Sequence, residues 1–433
     1  MRRVLIITYY WPPSGGSGVQ RWVKFAKFFP LFGWRPVIYT PSNPNMPAID
    51  RTLGEEIPPE AEVVKHVIYE PYEIYRRILS GGKKDGAEPS GEVEPIRGGK
   101  MSLGHKIALF IRGNLFIPDP RCWWIRPSIR FLKKYLQTHP VDAIISTGPP
   151  HSMHMIARGL SKATGIPWVA DFRDAWTKMF FYKHLELTGW ADRRHHRMER
   201  AVLDDATRVV SVSPRERDDF QAMTKNPVYL ITNGYDMDDY REPFVCDDNF
   251  NVTQTGLFAE TGNSEALWKV LAELCEADEV FRKALRIRLV GKVDVAILTS
   301  IEEAGLKPNL MLFGYKDHQI AVQEQRNASL LILPLRREPE YASALPGKLF
   351  EYLAARRPII GLGQADSAMA AIVTETQAGK VFDWDDAAAI KAYVVDCWEK
   401  FKSDDLRDND YDISRFDRKT LAGRYVKLLE GML

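Results

Sequence analysis

Short apolar runs alternate along the chain with segments whose apolar residues recur at helical spacing. Six runs in the first half have the composition of buried strands, namely RVLIITYY, RPVIYTP, VDAIISTG, IPWVADF, TRVVSVS and PVYLITNG. Six more follow residue 245, namely FNVTQTGLF, LRIRLVG, NLMLFG, SLLILPL, RPIIGLG and GKVFDW. Strands that alternate with helices are typical of parallel α/β architecture, so the pattern predicts two successive doubly wound sheets.

The length of 433 residues also favours two domains. The polar stretch 241–249 separates the two series of runs and is interpreted as a linker. With this linker as the boundary, the predicted N-terminal domain spans residues 1–243 and the predicted C-terminal domain spans residues 244–413. Residues 414–433 are predicted to form a closing helix. Within the first domain, residues 80–100 are rich in Gly, Pro, Ser and charge, which predicts a mobile insertion.

The composition excludes several classes of protein. A net charge of +2 gives no global nucleic-acid signature, and no nucleic-acid partner is predicted. No apolar run approaches the ~18 residues of a membrane span. The cysteines are far apart, which argues against disulfide staples and thiolate zinc sites and favours a reducing cytoplasm. They are Cys122, Cys246, Cys275 and Cys397.

A glycine-rich loop follows the first predicted strand, in YYWPPSGGSGVQRW at 9–22. Gly15, Gly16 and Gly18 allow the backbone to approach a ligand closely, and the helix that follows offers N–H groups to a phosphate. The loop matches neither GxGxxG nor the GKS or GKT of a P-loop, so dinucleotide and NTPase functions are disfavoured. The alternative is an ordinary strand-to-helix turn.

The chain resembles the group 1, GT4-like glycosyltransferases in an ordered set of motifs. It opens with VLIITYYWPPSGGSGVQRWVKFAKFFPLFGWRPVIYTP and continues with STGPPHSMHMIA, WVADFRDAW, ITNGYD, LVGK and ALPGKLFEYLAARRPII. The resemblance implies the GT-B fold, with two Rossmann-like doubly wound domains that face each other across a cleft. It also implies a retaining, metal-independent reaction and a glycine loop beside the diphosphate of a nucleotide-sugar.

The stretch YASALPGKLFEYLAARRPIIGLG, at 341–363, is the best candidate for donor binding. Lys348 and Glu351 share a helix face, where the lysine can meet a diphosphate and the carboxylate can bind ribose hydroxyls. In the resembling family a glutamate that matches Glu351 binds the ribose. An ordinary surface Lys–Glu pair is the alternative. The predicted donor-binding residues are Gly15, Gly16, Gly256, Gly291, Gly314, Pro346, Gly347, Lys348, Leu349 and Glu351.

Two departures from the family pattern affect this site. Ser343 stands where the family often has the first glutamate of an E-x7-E motif. Leu257 and Gly262 stand where it often has Arg and Lys. Lys348 is therefore expected to stabilise more of the leaving diphosphate, with Arg336 or Arg337 as further candidates.

Candidate catalytic residues follow two other predicted strands. VADFRDAW places Asp171, Arg173 and Asp174 just past a buried strand, where a carboxylate can orient or deprotonate an acceptor hydroxyl. The family often has a histidine at the position of Arg173. His151 begins the helix after another strand and is the fourth candidate. A structural Arg–Asp pair and a structural histidine are the alternatives.

Residues 101–139 combine basic and aromatic residues and contain a single acidic residue. This pattern favours contact with an anionic membrane surface, which would bring the enzyme to a lipid-linked acceptor at the inner face of the membrane. A partly buried helical pair with a solvated basic side is the alternative. The predicted contact residues are Trp123, Trp124, Arg126, Arg130, Lys133 and Lys134.

The predicted function is transfer of a sugar from a UDP- or GDP-sugar to a glycan or lipid-linked acceptor in cell-surface polysaccharide biosynthesis. No cofactor is expected. The D-x-D triplets that begin at Asp236, Asp383 and Asp408 lie in turn-like contexts, so no metal site is predicted. A nucleotide-sugar epimerase of the same fold and a non-catalytic nucleotide-sugar-binding partner remain alternatives.

Overall fold

The computed structural model describes residues 1–46, 49–50, 52–70, 103–179, 182–241, 246–406 and 410–433. The chain forms two compact units. Unit 1 comprises Met1–Thr232 and Leu421–Leu433, and unit 2 comprises Asn233–Thr420. The division lies before the predicted boundary at residue 243. The predicted insertion at 80–100 lies outside the described residues.

Unit 1 contains a seven-stranded parallel sheet in the order β3-β2-β1-β4-β5-β6-β7. The strands are β1 (Arg2–Ile7), β2 (Trp34–Pro41), β3 (Glu62–His66), β4 (Ala143–Gly148), β5 (Trp168–Phe172), β6 (Arg208–Ser211) and β7 (Val228–Leu230). The helices are α1 (Ser17–Phe28), α2 (Leu103–Asn114), α3 (Ile125–Thr138), α4 (Ser152–Thr164), α5 (Gly189–Asp205) and α6 (Pro214–Met223).

Unit 2 contains a six-stranded parallel sheet in the order β10-β9-β8-β11-β12-β13. The strands are β8 (Phe250–Thr255), β9 (Leu285–Val290), β10 (Leu310–Gly314), β11 (Leu330–Pro334), β12 (Ile359–Leu362) and β13 (Gly379–Phe382). The helices are α7 (Glu265–Ala277), α8 (Glu279–Ala284), α9 (Val295–Glu303), α10 (His318–Arg326), α11 (Gly347–Ala355), α12 (Ala368–Thr376) and α13 (Ala387–Lys402).

The last helix, α14, spans Arg418–Glu430. Its side chains Leu421, Tyr425 and Leu429 are fully buried in the core of unit 1. The tail therefore packs through the apolar face that its spacing predicts.

The predicted parallel α/β fold is confirmed, because each of the twelve apolar runs coincides with one of the strands to within one residue at its start or contains it. The central strand β1 pairs with β2 and β4, so Ile6 lies between Ile38 and Ile145. Strand β3 was not predicted. It lies at the edge of the sheet, where its side chains are alternately half-buried and exposed, so it lacks an apolar run.

The strand order reverses beside β1 and β4 in unit 1 and beside β8 and β11 in unit 2. In doubly wound sheets ligands bind beyond the carboxyl ends of the strands at such a reversal. The topology therefore directs attention to the loops after these strands. Within the described ranges, every helix is too short or too polar to cross a bilayer.

A fully buried ion pair joins α1 to β5. Arg21 Nη2 lies 2.8 Å from Asp171 Oδ1, and both side chains have no solvent exposure. Asp171 Oδ2 also accepts hydrogen bonds from Trp22 Nε1 at 3.1 Å and from Thr147 Oγ1 at 3.0 Å. Arg21 further donates to two backbone carbonyls after β7, at 2.8 and 2.9 Å. Burial with these partners places Asp171 in the core, which corrects its assignment as a candidate catalytic residue.

We expect Asp171→Asn to lower the free energy of unfolding by about 3–5 kcal/mol, because it leaves the Arg21 charge buried without a counter-ion. Urea denaturation followed by circular dichroism measures the change. The control is Glu273→Gln, which breaks the exposed pair with Lys391 and should leave the midpoint unchanged. Equal midpoints for the two variants would contradict a stabilising role for the buried pair.

Candidate functional site

Lys348 lies at the start of α11, beside the loop that follows β8. Its Nζ donates to the carbonyl of Leu257 at 2.9 Å. A Cβ added to Gly256 would lie 2.6 Å from Lys348 Cε and 3.0 Å from Nζ, and Gly256 has a φ of +81°. The absence of a side chain at this glycine therefore lets the amine approach the backbone.

The other predicted glycines of unit 2 lie at neighbouring strand ends. Gly291, after β9, has a φ of +124°, and a Cβ there would lie 2.4 Å from the Gly256 carbonyl oxygen. The N–H of Gly291 donates to the carbonyl of Gly314 at 2.8 Å. The structure therefore brings Gly256, Gly291 and Gly314 together with Lys348 at one edge of the sheet.

Glu351 lies about one turn further along α11. Its Oε2 accepts a hydrogen bond from Gln325 Nε2 at 2.9 Å, and its carbonyl accepts one from the Tyr240 hydroxyl at 3.0 Å. Gln325 also donates to Thr255 Oγ1 at 3.1 Å, so α10 holds the carboxylate against the end of β8. Sequence reasoning missed Gln325 and Tyr240, because neither belongs to a recognisable motif.

The electrostatics of Lys348 differ from those of a surface lysine. Burial lowers its pKa to about 8, and the nearby Glu351 charge opposes the shift. Among the ion pairs of the described residues, none joins Lys348 to Glu351, which argues against an ordinary surface pair. A desolvated ammonium at a helix N-terminus is a good partner for an anionic ligand.

Three further predicted donor residues surround the start of α11. Pro346 caps the helix, and Gly347 is its first residue. Leu349 is fully buried, and its N–H donates to the Pro346 carbonyl at 3.0 Å. Since both its side chain and its N–H are engaged, Leu349 belongs to the core, which corrects its assignment to the donor site.

The arginines proposed to assist Lys348 have other contacts. Arg337 makes two hydrogen bonds of 2.8 Å to the Asp385 carboxylate and lies over the Trp384 ring. Arg336 lies over the Tyr341 ring, 5.3 Å from its centroid. Arg337 is therefore held by an acidic partner.

Two of the D-x-D triplets form local turns. Asp236 accepts a hydrogen bond from the N–H of Asp238, and Asp383 accepts one from the N–H of Asp385, each at 3.0 Å. Such side-chain contacts two residues on are typical of aspartates in turns. Asp408 lies outside the described residues.

A cavity of about 320 Å³ lies within unit 1, beyond the ends of β1, β4 and β5. Its lining contains the glycines of the loop after β1 and three of the four catalytic candidates, together with residues that were not predicted. Its lining includes Tyr10, Gly15, Gly16, Gly18, Arg112, Asp119, Arg121, His151, Arg173, Asp174, Trp176, Tyr182 and His195.

His151 lies at the start of α4. Its ring stacks on Trp176 with centroids 4.5 Å apart and an interplanar angle of 1°. Burial is the main cause that lowers its pKa well below the usual value, so the imidazole is neutral at pH 7. Its Nδ1 is buried and has no hydrogen-bond partner among the described residues. A neutral imidazole can accept a hydrogen bond from a ligand hydroxyl but is a weak base.

Arg173 packs against the N-terminus of α1. Its N–H donates to the Gly148 carbonyl at 2.9 Å, and its Nη2 donates to the carbonyl of Pro149. A Cβ on Gly18 would lie 1.7 Å from Arg173 Nη1, so the third loop glycine leaves room for the guanidinium. Asp174 is exposed at the cavity and is the remaining carboxylate candidate.

The other histidines near the cavity have structural contacts. His195 Nδ1 accepts from Trp176 Nε1 at 3.2 Å, so its Nε2 carries the proton and faces the Gly113 carbonyl at 3.4 Å. His154 is fully buried, and its Nδ1 lies 2.8 Å from Ser146 Oγ. Burial lowers the pKa of His154 to about 3.

The predicted membrane residues separate into two groups. Trp124 is 1% exposed and stacks on Tyr39 at 4.9 Å, which corrects its assignment to a membrane surface. Trp123 is 54% exposed. The four basic residues on the outer face of α3 are exposed; they are Arg126, Arg130, Lys133 and Lys134.

Two basic residues of the same region, Arg112 and Arg121, line the cavity and were not predicted as site residues. The sequence alone does not show which basic residues of this region lie against the cavity and which face solvent. The partner of Arg121 is Glu70, which is distant in sequence.

Two family models match the chain. The model described as "Glycosyl transferase 4-like domain" matches residues 116–234, and the model described as "Glycosyl transferases group 1" matches residues 250–400. Together the matches span more than half of the chain. No curated protein sequence matches it significantly.

Solved structures show the same fold at low sequence identity. Sucrose-phosphate synthase from Thermosynechococcus elongatus is 14% identical with a TM-score of 0.65, and the match covers 100% of this chain and 99% of that one. A trehalose-phosphate synthase from Burkholderia vietnamiensis is 9% identical with a TM-score of 0.60, covering 100% and 99%. WaaG, a glycosyltransferase, is 14% identical with a TM-score of 0.55, and the match covers 99% of this chain and 100% of that one.

The lowered pKa of Lys348 predicts how anion affinity depends on pH. The ammonium is present below about pH 8 and is lost above it, so UDP should bind about tenfold more weakly near pH 9 than near pH 7. Isothermal titration calorimetry across this range measures the effect. In Lys348→Arg the charge persists at all these pH values, so the affinity should no longer change. An unchanged wild-type affinity would contradict a role for Lys348 in binding the diphosphate.

Proposed function

Because the chain belongs to the group 1, GT4-like glycosyltransferases of the GT-B fold, we propose that it transfers a sugar from a UDP- or GDP-sugar to a glycan or lipid-linked acceptor. The observation that supports this proposal most is the position of the Lys348 amine, which lies at the N-terminus of α11 against the loop after β8. Glu351 on the same helix and three close-packed strand-end glycines complete the proposed donor site.

The proposed role of Lys348 follows from the chemistry of the leaving group. Negative charge develops on the departing phosphate, and a fixed cation with backbone N–H donors stabilises it. Lys348 contacts the carbonyl of Leu257, the residue found where the family often has an arginine. We therefore assign the main cationic role at this phosphate to Lys348.

The proposed role of Glu351 is to bind the ribose. Gln325 holds Oε2 and thereby orients the carboxylate, whose two oxygens can accept hydrogen bonds from a pair of neighbouring hydroxyls. The glycines after β8 and β9 allow the base and phosphates to approach the backbone.

On the acceptor side we assign roles to three residues of the unit 1 cavity. Asp174 is exposed and is the proposed partner that orients or deprotonates the acceptor hydroxyl. Neutral His151 accepts a hydrogen bond from another hydroxyl. Arg173 supplies positive charge beside the glycine loop.

Retention of anomeric configuration, independence of metal and a role in cell-surface polysaccharide synthesis are proposed from the family resemblance. WaaG is described as involved in lipopolysaccharide biosynthesis, which is consistent with such a pathway. Product NMR with and without a chelator tests the first two proposals. Conversion of the donor sugar without any acceptor would favour the epimerase alternative.

Contact with an anionic membrane remains part of the proposal. Trp123 and the four basic residues of α3 are exposed on unit 1, and basic residues near an anionic surface each contribute about 1 kcal/mol. This surface would bring a lipid-linked acceptor to the enzyme.

The donor site is tested by a thermal-shift and calorimetry panel of nucleotide-sugars. We expect Lys348→Ala and Glu351→Ala each to weaken the best ligand about tenfold or more, because each removes a charged partner. The matched controls are Lys391→Ala and Glu273→Ala, an exposed pair in the same unit, and should bind normally. Wild-type affinity in both site variants would show that the donor binds elsewhere.

The membrane surface is tested by replacing Arg126, Arg130, Lys133 and Lys134 together with glutamine. Partitioning onto anionic vesicles should fall at least about tenfold in a sedimentation assay, because four attractive charges are lost. The control replaces four exposed lysines of unit 2 with glutamine; they are Lys283, Lys307, Lys400 and Lys402. Unchanged partitioning of the first variant would exclude the α3 surface.

A further inference from the structure

The cavity in unit 1 carries more positive than negative charge. Three arginines, Arg112, Arg121 and Arg173, line it together with two aspartates, Asp119 and Asp174. Asp174 is exposed, where water and salt screen its charge. The excess of guanidinium groups points to a ligand that is itself negative.

Asp119 adds negative charge beside Arg121, while its oxygens are held by Ser152 and by the backbone of Arg121. Oδ2 accepts from the N–H of Ser152 at 2.7 Å, and Oδ1 accepts from the Ser152 hydroxyl at 2.8 Å. Oδ1 also accepts from the N–H of Arg121 at 2.9 Å. The carboxylate thus caps α4 and stabilises its N-terminus.

The guanidinium groups of Arg121 and Arg173 have incomplete hydrogen bonding. Arg121 is 9% exposed, and its Nε lies 3.6 Å from the Glu70 carboxylate, beyond hydrogen-bond distance. The buried Nε of Arg121 and that of Arg173 have no hydrogen-bond partner among the described residues. Burial also lowers the pKa of Arg173, which an anion beside it would reverse.

One aromatic side chain of the cavity, Tyr182, presents ring surface. The Trp176 indole N–H donates to His195, and the Tyr182 hydroxyl donates to Asp192 at 2.9 Å. Trp176 is 3% exposed and one of its faces stacks on His151, so the ring surface available to a ligand belongs to the half-buried Tyr182, whose hydroxyl is already engaged. The C–H faces of a sugar ring can pack on such surfaces.

We propose that this cavity binds an anionic acceptor, a sugar that carries a phosphate or a carboxylate. The anionic group lies against Arg121 and Arg173, and the sugar ring lies against Tyr182. The volume of about 320 Å³ is near the lower end for ligand pockets, which favours a single charged sugar unit over a longer chain. The inference rests on the proposed function, since it names the class of acceptor.

Calorimetry of the whole chain tests this with glucose, glucose 6-phosphate, glucuronate and inorganic phosphate, with and without saturating UDP. At least one anionic sugar should bind about tenfold or more tightly than glucose, because charge-assisted hydrogen bonds are strong, and it should remain bound with UDP. Failure of every anion to bind, equal affinity for glucose, or displacement by UDP would overturn the proposal. Displacement would mean that the arginines hold the diphosphate of the donor.

Substitutions of the cavity arginines test whether the anionic ligand binds in this cavity. Arg173→Lys and Arg121→Lys keep the charge but lose the planar fork, so the anionic ligand should bind about tenfold more weakly. The control is Arg197→Lys, an exposed arginine on α5. An equal loss in the control, or none in the site variants, would contradict the assignment. If a site variant does not fold, the salt dependence of the wild type decides, since added salt should weaken the anionic ligand and not glucose.

Two further measurements distinguish a lipid-linked acceptor from a soluble one, and distinguish failure of this inference from failure of the proposed function. Vesicles that contain phosphatidic acid should bind through Arg173 if the natural acceptor is lipid-linked, whereas preference for glucose 6-phosphate indicates a soluble acceptor. UDP is titrated into the same samples. Binding of UDP through Lys348 without binding of any anionic probe contradicts this inference alone. If the protein binds anionic sugars but neither UDP nor GDP, the proposed transferase function is contradicted and the anion site is left intact.

Discussion

The buried ion pair between Arg21 and Asp171 fixes the geometry of unit 1. It ties the middle of α1 to the end of β5, and no water can replace either partner, because both side chains are fully buried. The position of α1 then sets the position of Gly18, and the end of β5 sets that of Arg173. The contact of Gly18 with the guanidinium follows from these two placements. A structural interaction in the core thus determines which groups reach the cavity.

In unit 2 the corresponding constraint is the close approach of the backbone after β8 to the backbone after β9. The Cα of Gly291 lies so near the carbonyl of Gly256 that a side chain would overlap it, and Gly256 in turn leaves room for Lys348. Both glycines have φ values in the left-handed region, where other residues are strained. The result is an amine held against strand ends, with its charge only partly solvated, as its lowered pKa indicates.

The strands and the order of the motifs could be predicted from the sequence, because buried parallel strands are apolar throughout and their loops are polar. Which charged and aromatic residues are buried could not be predicted from the sequence. Asp171 lies near the carboxyl end of β5, where a catalytic carboxylate could also lie, and only its distant partner Arg21 shows that it is structural. Trp124 and Trp123 are neighbours in sequence, yet one stacks in the core and the other is exposed. Gln325 was missed because its role depends on contacts with Glu351 and Thr255 from other elements.

The distribution of cations between the two candidate sites is informative about their ligands. Unit 2 places Lys348 among strand-end glycines, with Leu257 and Gly262 at positions where the family often has basic residues. Unit 1 places three arginines around one cavity. An arginine keeps its charge throughout the accessible pH range, whereas the charge of a desolvated lysine depends on what binds beside it. Permanent guanidinium charges suit a site whose ligand is anionic in every state.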